Sequence, residues 1–167
     1  MESIGIFYGS NIGNTEDVAT KVKNVLKAEI FNISDVKKEQ MSNYDFLIFA
    51  SSTWGTGELS DDWEEHLQKL DELDLNHKYV GFIGLGDQYS YGDTFCDALS
   101  IIYNRIKDKG IKLIGQWPTE GYDHEESESI LDGKFLGLVI DEDNQDELTD
   151  ERINKWVLQV RDELKSH

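Results

Sequence analysis

An open parallel α/β sheet is the fold class this sequence predicts, and two patterns predict it. Short, nearly continuous apolar runs recur along the chain, as expected of parallel strands buried on both faces. Between them lie longer stretches whose apolar residues repeat at helical spacing. Strand and helix alternate in this way when neighbouring parallel strands are joined by right-handed helical crossovers.

Ile4 to Tyr8 is the first strand, and Val18, Val22, Val25 and Leu26 then share one helical face. Ile30 to Ile33 reads as a short strand and Phe46 to Ala50 as a full one. Trp63, Leu67 and Leu70 make the next helical stripe, Tyr79 to Leu85 the next strand. Phe95, Leu99, Ile102 and Ile106 form a further stripe. Ile111 to Ile114 and Phe135 to Ile140 read as halves of a split final strand. Ile153, Trp156, Val157, Val160 and Leu164 supply the last helix. The segment 118–134 is long for a connection, and loops of that length usually carry function or structure of their own. No internal repeat, low-complexity tract or linker divides the chain, so residues 1–167 are expected to form one domain.

Composition limits the partners. Thirty-four acidic residues oppose 16 basic ones, a formal charge of −18, which argues against nucleic acid or an anionic membrane and favours basic proteins. Cys96 is the sole cysteine, so no internal disulfide forms. The first residues run into a strand without a charged and then apolar leader. No apolar run approaches the roughly 20 residues that span a bilayer. A cytoplasmic monomer is the expectation.

In sheets of this class ligands bind beyond the carboxyl ends of the strands, where the winding reverses. Three loops therefore matter: Gly9 to Thr15, Ser51 to Glu58 and Gly86 to Thr94. The first, "GSNIGNT", opens a helix whose free N–H groups and dipole suit an anion, with Ser10 and Thr15 as hydroxyl donors. It lacks any cation. A Walker A loop would place Gly-Lys-Ser/Thr where Asn14 and Thr15 stand, and Gly-x-Gly-x-x-Gly fails because Tyr89 replaces its third glycine. A terminal monophosphate can be held by hydrogen bonds alone, whereas a triphosphate would require lysine and Mg²⁺. An ordinary strand-to-helix turn with a Ser/Thr/Asn cap is the equally weighted reading of this loop alone. The other two loops set Trp54 and Tyr91 among glycines and polar residues. Either aromatic alone would be read as packing under a neighbouring turn, but as a pair on adjacent loops they suit the two faces of a flat ring.

These residues carry a resemblance. "GSNIGNTE", "TWGTGE", "GDQYSYGDTFCDAL", "WPTEGYD" and "GLVIDEDNQ" occur in the order found in the flavodoxins, small FMN-containing electron carriers. The chain is similar to them over essentially its whole length, and the interruption at 118–134 resembles that of the long-chain members. The resemblance implies a flavodoxin-like three-layer sandwich: a five-stranded parallel sheet of order 2-1-3-4-5, with helices on both faces and an insertion in the last strand. It also implies FMN as cofactor. Ser10, Asn11, Gly13, Asn14 and Thr15, in a loop that includes Ile12, would hold the phosphate. Thr53 and Asp143 would face the ribityl chain. Trp54 and Tyr91 would cover the ring, while Asp87, Thr94 and Cys96 lie near its pyrimidine edge, Cys96 through its backbone N–H. Gly55, Thr56, Gly57 and Gly86 complete the implied cofactor loops. At Gly55, where long-chain members often carry a larger residue, the Gly55-Thr56 peptide would turn its carbonyl toward the flavin during one-electron reduction.

Other chemistries fit less well. Asp141 to Asp146 looks calcium-like, but Asp146 stands where that loop needs glycine and Arg152 where it needs a bidentate Glu. His66, His77, His124 and His167 have no metal-ligand spacing, so no metal is expected. A phosphoacceptor domain would want an acidic pair where Gly9, Ser10 and Asn11 stand. An FMN-dependent oxidoreductase acting on a quinone or nitro compound is the alternative, yet little sequence remains for a second pocket. The expectation is a low-potential one-electron carrier with no catalytic residue of its own. Its implied partners are basic-faced redox proteins: an NADP-dependent reductase or 2-oxoacid oxidoreductase as donor, a metalloenzyme or activase as acceptor. Residues 58–74 hold eight acids against one lysine, Lys69, and follow the tryptophan loop, which suits them to such a docking face.

Overall fold

The computed structural model describes residues 3–9, 14–54, 57–90 and 92–166, with the side chains of Trp54, Glu58 and Asp93 outside that description. Within it the alternation is as expected. Strands β1 (Ile4–Gly9), β2 (Glu29–Asn32), β3 (Phe46–Trp54), β4 (Tyr79–Leu85) and β5 (Leu138–Ile140) run parallel in the order β2-β1-β3-β4-β5. Helices α1 (Asn14–Leu26), α2 (Asp61–His66), α3 (Ala98–Ile106) and α4 (Thr149–Lys165) connect or follow them. A 3₁₀ turn, Leu67–Glu72, continues α2.

Successive strand residues point to opposite faces, and the core divides accordingly. Ile6, Ile48 and Ile83 pack with Val22 of α1 and Trp156 and Val160 of α4. Phe7, Phe49 and Phe82 pack with Trp63 of α2 and Leu99 and Ile102 of α3. The two large indoles keep their polar edge satisfied inside: Trp63 donates to Ala50 O at 2.7 Å and Trp156 to Gly115 O at 2.8 Å. Without those acceptors a buried N–H would cost about 1–3 kcal/mol. One residue departs from its expected stripe. Val25 is exposed, because the buried arc of α1 centres on Ala19, Val22 and Leu26.

The final strand is split as expected, though differently at its second half. Lys112–Leu113 pairs in parallel with Tyr79 and Val80, and β5 pairs with Ile83 to Leu85 farther along the same strand. Phe135, expected within β5, instead joins a small antiparallel sheet of Trp117–Pro118, Lys134–Phe135 and Ile130–Leu131. Two features cause this. Asp132 and Gly133 both have positive φ (54° and 82°), the requirement of the tight hairpin turn that an Asp-Gly pair favours. Gly137 then crosses Phe82 so closely that a Cβ would lie 2.0 Å from its carbonyl oxygen. The chain leaves one sheet and enters the other at that glycine.

Candidate functional site

Register brings the strand ends together. Gly9 of β1 is opposite Ser51 of β3, Ser52 is opposite Leu85 of β4, and Leu85 is opposite Ile140 of β5. The loops after β1, β3 and β4 thus leave one edge of the sheet side by side, and residues 141–144 join them. β1 and β3 are adjacent at the point where the winding reverses, where ligands gather in sheets of this kind.

Of the first loop, Ser10, Asn11, Ile12 and Gly13 lie outside the described residues, while Asn14 and Thr15 begin α1. Thr15 is fully buried, yet its hydroxyl has no hydrogen-bond partner among the described residues. Buried polar atoms are nearly always paired, so an unpaired donor in the first turn of a helix suits an anion that the helix end also attracts.

In the second loop Gly55 and Thr56 lie outside the described residues. Thr53 Oγ1 accepts the N–H of Ala98 at 3.1 Å, tying the loop to the start of α3. Gly57, at φ 88°, returns the chain into Glu58–Leu59, which pairs antiparallel with Thr53 and Trp54. The acids of α2 follow directly. Among them Asp62 accepts from the Asn32 amide at 3.4 Å, and in the 3₁₀ turn that follows Asp71 is held by Arg105 at 2.7 Å.

The third loop is organised by a carboxylate that the sequence offered only as part of a rejected calcium-like run. Asp141, at the end of β5, is fully buried. Its Oδ2 accepts the N–H of Gln88 at 3.1 Å and the Gln88 side-chain amide at 2.7 Å. Its Oδ1 accepts the N–H groups of Asp143 and Asn144, both at 3.1 Å. The Asn144 amide also reaches Asp87 Oδ1 at 2.8 Å. Burial works to raise the Asp87 pKa, but bonds from Ser90, Asn144 and Tyr89 outweigh it and hold the carboxyl below its ordinary value. Asp143 moves the other way, raised by desolvation and then by the charges of Asp87 and Asp141. Asp141 had a faint signal, since an Asp followed two and three residues later by Asp and Asn is a turn-forming pattern; Gln88 had none.

The segment 118–134 packs on this loop. The backbone N–H groups of Glu125 and Glu126 donate to Gly92 O at 2.8 and 2.9 Å, and that of Glu128 donates to Asp97 Oδ1 at 2.7 Å. Ser129 Oγ donates to Cys96 O at 2.6 Å and accepts from Ser100 N at 3.1 Å. Gly86 stands against Cys96, whose thiol is fully buried and pushed well above its ordinary pKa by desolvation, which leaves it unreactive. Thr94 carries a second buried hydroxyl without a partner among the described residues. Tyr91 lies outside the described residues, so its pairing with Trp54 is not described. His124 stacks on Phe95 and meets Phe135 at a tilt, with ring centroids 5.2 Å away in each case. Among the described residues no group of His, Cys, Asp and Glu is arranged to hold a metal, and no helix is long and apolar enough to cross a membrane.

Comparison with known proteins places this arrangement in context. The family model described as Flavodoxin matches residues 6–156. The flavodoxin of Haemophilus influenzae is 45% identical over 98% of this chain and 97% of its own length. That of Helicobacter pylori is 46% identical over 96% and 98%. The crystal structure of Fusobacterium nucleatum flavodoxin bound to flavin mononucleotide superposes with a TM-score of 0.92 at 37% identity, covering 98% of this chain and 99% of that one.

Proposed function

The chain belongs to the flavodoxin family and is an FMN-based electron carrier; from that premise we propose how its residues serve the task. FMN supplies the one-electron chemistry when bound. The chain binds it, orients it and leaves it accessible to partner proteins.

Residues Ser10, Asn11, Gly13, Asn14 and Thr15 hold the phosphate. The observation that carries this assignment is the buried hydroxyl of Thr15 at the start of α1, which has no partner among the described residues. Hydrogen bonds and the helix dipole, with no cationic side chain in the loop, bind the dianion without neutralising it. Thr53 and Asp143 flank the ribityl chain, Trp54 and Tyr91 the ring faces, and Asp87, Thr94 and Cys96 the pyrimidine edge. The carboxylates of Asp87, Asp141 and Asp143, gathered where the loop after β4 meets the end of β5, make added negative charge unfavourable and so favour a low potential.

We read the protein as a carrier without a substrate of its own, since electron exchange requires no acid-base residue. The partners are basic-faced cytoplasmic redox proteins, with an NADP-dependent reductase or 2-oxoacid oxidoreductase as donor and a metalloenzyme or activase as acceptor. The acids of α2 steer them. The test of the site is a titration of the apoprotein with FMN and with riboflavin. FMN should bind about a hundredfold tighter or more, because several charge-assisted bonds serve its phosphate alone. Equal affinities would remove the phosphate assignment.

A further inference from the structure

We infer that Gln88 is a positioning residue for the flavin ring: it locks the loop after β4 simultaneously to the end of β5 and to the 118–134 segment. The inference rests on reading these loops as the FMN site. Gln88 is 2% exposed, and both ends of its amide are committed. Its Nε2 donates to Asp141 Oδ2 at 2.7 Å, and its Oε1 accepts the N–H of Asp123 at 2.5 Å. The amide orientation is fixed by these partners, since a carboxylate can only accept and a peptide N–H can only donate. Both contacts are long-range, to positions 53 and 35 residues away. Its neighbour Asp87 is tied to the same turn through Asn144, while Tyr89 donates its phenol to the Asp123 carboxylate at 2.7 Å. Gln88 is therefore the one side chain among the described residues seen to bridge all three segments directly, and it adjoins Asp87 at the ring's edge.

The amide is also specific. A glutamate at position 88 would keep the acceptor for Asp123 N–H but set a second carboxylate against Asp141. At pH 8 both carboxylates are ionised and repel; each raises the other's proton affinity, so at lower pH the pair takes up one shared proton, which restores the missing donor. The other charges around the pair are Asp87 on the same loop, Glu142 and Asp143 after β5, and Asp123 on the insertion. Arg152 of α4 lies over the Tyr122 ring at 4.2 Å and donates to Gly121 O.

The test measures riboflavin binding to apoprotein at pH 8 and pH 5, relative to the unmodified protein, so that ionisation of the FMN phosphate does not enter. Gln88→Glu should bind riboflavin roughly tenfold more weakly at pH 8 and recover most of that loss at pH 5. Gln88→Leu, with no donor at either pH, should show a similar loss at both. Urea unfolding of each apoprotein, run alongside, confirms that folded protein is titrated. Unchanged affinity in Gln88→Glu at pH 8, or losses identical at the two pH values, would overturn the assignment. If Thr15→Val still weakens FMN but not riboflavin in the same titrations, the site reading survives and only the role of Gln88 falls.

Discussion

Replacing Thr15 by valine should change two properties in opposite directions. Valine has the shape of threonine and a similar helix propensity, so the fully buried position in α1 is refilled without a cavity. In the apoprotein the change removes a buried hydroxyl that has no partner among the described residues, and such a group costs about 1–3 kcal/mol. Apoprotein stability should therefore rise, by about 1 kcal/mol. With FMN the same hydroxyl would donate to a charged phosphate, a bond worth about 1.5–3 kcal/mol, so its loss should weaken FMN roughly ten- to 150-fold. Riboflavin, without a phosphate, should be unaffected. Urea unfolding gives the first quantity and quenching of flavin fluorescence the second. A variant that is less stable and binds both flavins equally poorly would show that Thr15 is a packing residue, and the argument from its hydroxyl would fail.

Two further outcomes follow from charge and titration. Converting Asp61, Asp62, Glu64 and Glu65 to amides should slow electron exchange with a basic reductase at low salt and flatten its salt dependence; stopped-flow rates that match the unmodified protein at low salt would place docking elsewhere. Desolvation holds His124 below its ordinary pKa, so in the acidic range the unfolded chain binds more protons than the folded one. Stability from this residue is thus complete above about pH 6.5 and is lost as pH falls, and His124→Phe should reduce the drop in urea midpoint between pH 7.5 and 5.5.

Much of the fold was legible in the sequence for a physical reason. β1, β4 and the Phe46–Ala50 part of β3 are buried on both faces, and such strands read as nearly continuous apolar runs. Helices were legible because each buries one stripe, with Val25 misassigned because a rim position looks the same in periodicity as a buried one. The small sheet around Phe135 was missed although Asp132-Gly133 announces a hairpin. Its strands are two residues long, too short to show alternation. The loops proposed to hold the cofactor stood out by their glycines, hydroxyls and aromatics. Gln88 and Asp141 did not, because each acquires its role only from partners distant in sequence. The length of the 118–134 segment signalled structure of its own, and its hydrogen bonds to Gly92, Cys96 and Asp97 show what it is attached to.

This chain holds FMN so that it exchanges electrons singly. The measurement that tests it most directly is a potentiometric titration of the purified holoprotein followed by its visible spectrum. Two separated one-electron steps are expected, with a blue half-reduced form accumulating between them and the second step at low potential. A single two-electron step, passing from yellow to colourless with no intermediate colour, would contradict the account.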